Sequence, residues 1–85
     1  MSVFINKNGL TVGNSSRDLF EEVMRGTGFV MGRNSSLYIE NAGLHDKLIV
    51  VTRGADSRSP LRTEKFPANQ FQKAADLFAC WCAEG

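Results

Sequence analysis

The stretch from Phe71 to Cys82, FQKAADLFACWC, constrains this chain more than any other. Phe71, Ala74, Ala75, Phe78, Trp81 and Cys82 recur at helical spacing and share one face. A stripe that wide and that apolar must lie against something, and what precedes it is rich in strand signals. With 85 residues the chain can bury a single core, so one domain over residues 1–85 is expected.

Upstream, the hydrophobic period changes twice. In VFINKNGLTV the apolar residues Val3 and Ile5, then Asn8-Gly9, then Leu10 and Val12 predict a hairpin, because both turn residues tolerate positive φ. NSSRDLFEEVMRGTG predicts a helix. Ser15 is its N-cap and Asp18 lies in its first turn; Leu19, Phe20, Val23 and Met24 form its apolar face. Glu21 and Arg25 have i,i+4 spacing, and Gly26 stands where a helix C-terminus needs it.

Beyond that helix the period is two. GFVMG is short and apolar, SLYIEN alternates Leu37 and Ile39 against Tyr38 and Glu40, and LIVV within KLIVVTR is apolar on both faces, as a central strand would be. LRTEKF alternates as well and extends the pattern. Pro67 is tolerated only at or before the first turn of the last helix, where Asn69 and Gln72 have capping-box spacing. The expected order is ββ-α-β(3–4)-α, an α+β fold with an antiparallel sheet and the C-terminal helix packed on it.

Composition sets the functional classes. At 42% hydrophobic and 22% charged residues the chain is of ordinary globular type, and its net charge of +1 argues against a dedicated duplex-DNA binder. The N-terminus lacks the basic and long apolar regions of a signal peptide, and no run approaches a membrane span, so a cytoplasmic location is expected. Both cysteines, Cys80 and Cys82, lie two apart, which suits neither a disulfide with each other nor a CxxC pair. Free thiols, no metal and no cofactor are the expectation.

Chemical motifs are weak. The glycines of GTGFVMG close a helix, whereas a nucleotide loop opens one. VGNSS presents helix N–H groups that could meet an anion, yet Ser15 as a cap already uses one, and no P-loop lysine follows. His45 and Asp46 form an adjacent base–acid pair with no nucleophile placed beside them, so a polar turn outweighs catalysis. An enzyme using His45 ranks a distant third among the functions considered, and the chain is read as non-catalytic.

The strongest local signal is charge. Between Lys47 and Lys65 stand five basic residues (Lys47, Arg53, Arg58, Arg62, Lys65) against Asp56 and Glu64, an excess of three in a chain whose total is +1. Arginine outnumbers lysine there, which favours bidentate recognition of carboxylate or phosphate, although runs of charge are commonly solvated rims. Tyr38, opposite Leu37 and Ile39 in its strand, is expected at least partly exposed and suited to an interface. Arg53, Arg58, Arg62, Lys65 and Tyr38 are therefore the candidate partner-binding residues.

The expected function is that of a small macromolecule-binding protein with a protein partner, of the inhibitor or accessory type frequent among phage and mobile-element proteins that act on host complexes. The alternative is a single-stranded nucleic-acid module that uses the same arginines on phosphates. Homodimerisation or tight partner binding is also expected, because two short helices leave sheet edges and surface to cover.

Overall fold

The computed structural model describes residues 4–41, 47–54 and 61–84, without the Glu84 side chain. Strands β1 (Phe4–Asn6) and β2 (Thr11–Val12) lead into helix α1 (Ser16–Arg25). Strands β3 (Phe29–Met31), β4 (Ser35–Asn41), β5 (Lys47–Arg53) and β6 (Arg62–Pro67) follow, and a 3-10 turn (Ala68–Gln70) opens helix α2 (Phe71–Glu84). The strands form one antiparallel sheet in the order β2-β1-β3-β4-β5-β6. The expected α+β order holds, with four strands between the helices.

Both helices pack on the same side. Phe71, Ala74, Ala75, Phe78, Trp81 and Cys82 of α2 are all buried, in one cluster with Leu19 and Val23 of α1 and with Phe4, Val30, Leu37, Ile49 and Val51 of the sheet. Register explains the sheet's contribution: Val30, Leu37 and Val51 stand side by side, as do Ile39, Ile49 and Phe66. Phe4 meets Phe78 with ring centroids 4.9 Å apart, and Phe20 meets Phe71 edge to face at 5.1 Å. Phe20 remains partly open to solvent at the rim of this contact.

Several local expectations are corrected. The first hairpin has a three-residue loop, Lys7 to Gly9, closed by Asn6 N–H donating to Leu10 O at 2.9 Å, with Gly9 in the left-handed region at φ 80. Asn6 Oδ1 also accepts from the backbone N–H groups of Asn8 and Leu10, which makes the longer loop favourable. This register buries Phe4 and Asn6, while Ile5 takes the opposite face and Leu10 is exposed. Val3 lies outside the described residues.

Ser15 caps α1 as expected, accepting from Asp18 N–H, but Glu21 pairs back to Arg17 at 3.9 Å. Gly26 follows α1 without a left-handed conformation; the positive φ of that turn belongs to Gly28. No side chain caps the 3-10 turn, and Gln72 donates forward to Asp76. Backbone geometry set by Pro67 starts the final helix in place of the Asn69–Gln72 capping box.

Gly32 permits the closest contact of the core. A Cβ there would lie 2.5 Å from Cys82 Sγ and 3.3 Å from the Phe4 ring. Burial pushes the Cys82 thiol pKa up, against hydrogen bonds from the Gly32–Ser35 turn, while Cys80 is exposed.

Phe78→Ala should therefore cost about 3–5 kcal/mol, and Gly32→Ala about 1–3 kcal/mol through overpacking, both read as lowered urea midpoints. Iodoacetamide should modify Cys80 in the native protein and reach Cys82 at comparable rate only after unfolding; equal native rates would contradict this packing.

Candidate functional site

With both helices on one side, the other side of the sheet carries Ile5, Met31, Ser36, Thr52 and Thr63 in one cross-strand row and Phe29, Tyr38, Val50 and Lys65 in the next. This face is not uniformly open. Val50 is fully buried, and the Lys65–Glu40 ion pair explains part of that. Lys65 on β6 and Glu40 on β4 flank β5, so their 3.3 Å contact runs across the strand between them and lays the lysine stem over it.

Towards β1 the face is more accessible and more apolar. Phe29 and Tyr38 are near-parallel neighbours, 6.3 Å between centroids and 25° between planes. Met31 is 41% exposed beside them. Ile5, Phe29, Met31 and Tyr38, with Lys7 and Thr27 at the rim, line a wide-mouthed concavity of about 680 Å³.

One wall of this concavity is organised by a carboxylate. Glu22 of α1 accepts from Asn6 Nδ2 at 3.0 Å, from Thr27 N–H at 2.6 Å and from Thr27 Oγ1 at 3.0 Å. It thereby ties the first hairpin and the turn after α1 to the helix. These donors, the Thr27 backbone N–H first, hold the Glu22 pKa below its usual value. Nothing in the sequence spacing flags this network, since Asn6 and Glu22 meet only through the fold.

The five candidate residues do not share one surface. Tyr38 and Lys65 lie on the open face, in one row on either side of Val50. Arg53 and Arg62 are direct cross-strand partners on the helix-bearing face, where the Arg62 guanidinium carbon lies 5.8 Å from the centroid of the Trp81 ring. Arg58 lies outside the described residues, as do His45 and Asp46. Register could have separated Arg62 from Lys65 in advance, because residues three apart in a strand point to opposite faces.

Among the described residues no group of three or more His, Cys, Asp or Glu side chains is placed to hold a metal ion, and no helix is long and apolar enough to cross a membrane.

The low Glu22 pKa carries a pH dependence. The unfolded chain binds this proton more readily, so the stabilisation is complete above the unfolded pKa near 4.5 and is lost as pH falls through the folded value. Glu22→Gln should lower the urea midpoint at neutral pH and flatten its decline in acid; an unchanged acid limb would contradict the network.

The chain matches no protein-family model, no curated protein and no solved structure.

Proposed function

We propose that the chain is a small non-catalytic binding domain that docks a partner protein on the sheet face opposite its helices, with Tyr38, Phe29, Met31 and Ile5 as the contact centre. The observation that supports this is the one-sided placement of α1 and α2, which leaves an accessible aromatic and methionine surface around the concavity. Tyr and Met are enriched where proteins meet, and a methionine at 41% exposure has a flexible, polarisable surface to offer. The rigid sheet and the Glu22 network hold the concavity in shape, so little ordering cost attends docking.

A nucleic-acid reading would stack bases on Phe29 and Tyr38 and place phosphates on nearby lysines. Charge disfavours it. Lys65 is already paired with Glu40, and the chain's net charge is only +1.

The test compares affinity capture from the native cell by wild type, Tyr38→Ala, Met31→Lys and a helix-side control, Lys73→Gln. A partner held through this face should be retained by the control and weakened about 30-fold or more by Tyr38→Ala, as at an interface hot spot. Equal retention by all four overturns the proposal, and steep loss of binding with salt to an oligonucleotide favours nucleic acid instead. Sedimentation at micromolar concentration reads whether a second copy is the occupant.

A further inference from the structure

One edge of the sheet is longer and less guarded than the other. β2, at one end of the strand order, has two residues, while β6, at the other, has six. β6 has β5 on one side and no described strand on the other, so every second residue turns its backbone N–H and C=O outward. Arg62, Thr63, Glu64 and Lys65 are all exposed. Protected edges commonly carry a lysine that projects outward, whereas Lys65 is drawn back over β5 to Glu40 at 3.3 Å. Pro67, which has no N–H to offer, closes the far end of the strand.

The charges along this edge are complementary to themselves. Two copies of one strand that pair antiparallel about a two-fold axis place one residue opposite its own copy at the axis. With Arg62 or Lys65 at the axis, like cations face each other; with Glu64 there, two carboxylates do. Phe66 is followed directly by Pro67 and the end of the strand. Thr63 alone centres a favourable ladder. About Thr63, Arg62 of each copy stands opposite Glu64 of the other on the helix-bearing face, and the two threonines meet as a polar pair on the open face. Glu64 makes no side-chain hydrogen bond or ion pair with any described residue. Arg62 is held against Trp81, 5.8 Å from the ring centroid, which limits the freedom it loses on pairing. Leu61, 83% exposed just before β6, comes to lie opposite Lys65 of the second copy and loses part of that exposure.

We infer that two copies of this chain join through β6, antiparallel and in register about Thr63, making one continuous sheet with the helices of both copies on one side. The axis serves whichever residues turn outward, because the closely and the widely spaced pairs of an antiparallel ladder are both symmetric about it. The contact is isologous and therefore closes at two copies. It uses the strand edge and leaves the Tyr38 face open, so the two readings fail separately.

Sedimentation of the full chain at low salt, from micromolar to submillimolar concentration, should show a reversible monomer–dimer equilibrium. Glu64→Arg should weaken it about tenfold or more, because the two-fold axis counts each like-charged pair twice. Arg62→Glu should do the same. An equimolar mixture of these two variants should restore the dimer, since each cation then faces a carboxylate across the axis. Glu21→Arg, an equal charge change at an exposed position on α1, and Tyr38→Ala should leave the equilibrium unchanged, with urea midpoints showing that every variant is folded. Should Arg62→Glu fail to fold, Glu64→Arg against the Glu21→Arg control carries the test alone. A wild type that stays monomeric throughout, a mixture that stays monomeric, or equal weakening by Glu21→Arg would each overturn the inference. Loss of the dimer in Tyr38→Ala but not in Glu64→Arg would overturn it too, and would assign the second copy to the open face.

Discussion

Everything in this molecule depends on the fit of one amphipathic helix against one side of a six-stranded sheet. The buried stripe of α2 supplies two phenylalanines, a tryptophan, two alanines and a cysteine to the core, and the sheet answers with Phe4, Val30, Leu37, Ile49 and Val51. The alanines matter as much as the rings, because Ala74 and Ala75 let the helix backbone settle close to the strands. Gly32 continues the same logic from the sheet side, giving up its own side chain so that Cys82 and Phe4 can fill the space.

A one-sided solution divides the surface into two chemistries. Under the helices, packing decides identity and little variation in volume is tolerable. On the other side no described helix packs, yet Ser36, Val50 and Thr52 are buried there, and the strands answer in two ways. Over β5 an ion pair and its lysine stem shelter Val50; towards β1 no such strap forms among the described residues, and Phe29, Met31 and Tyr38 border a concavity instead. A tyrosine and a methionine in that position are hard to explain as solubility devices, whereas the threonines at Thr52 and Thr63 are ordinary strand residues.

Much of the fold was legible from periodicity. The α2 stripe, the Ser15 cap, the central LIVV strand and the alternation of residues 61–66 all follow from spacing, because helix and strand periods differ enough to be told apart; the strand itself runs one residue later, over Arg62–Pro67. The first hairpin was harder. Asn8-Gly9 marks a turn correctly, but Asn6 can hydrogen-bond two further N–H groups, lengthening the loop by a residue and burying Phe4 in place of Ile5. The candidate site was legible only in part. Tyr38 was placed by alternation, whereas Met31 and Phe29 join it through strand pairing that no local pattern encodes. The Arg53–Arg62 neighbourhood follows from a hairpin between β5 and β6, yet the Trp81 ring beneath Arg62 belongs to a helix that only the tertiary fold brings there.

The Phe4–Phe78 contact has a kinetic consequence. It joins residues near the two ends of the described chain, and β1 pairs with β3 only after the chain has passed through all of α1. By contrast β4 and β5, and then β5 and β6, are consecutive strands with paired registers of six residues or more. Local pairings lose little loop-closure entropy, while a contact between distant residues must close a long loop first. The β4–β5–β6 meander is thus the natural folding nucleus. Docking β1 over Phe78 closes a much longer loop, and the Glu22 bonds to Asn6 and Thr27 then fasten the Lys7–Gly9 hairpin to α1 and the turn after it.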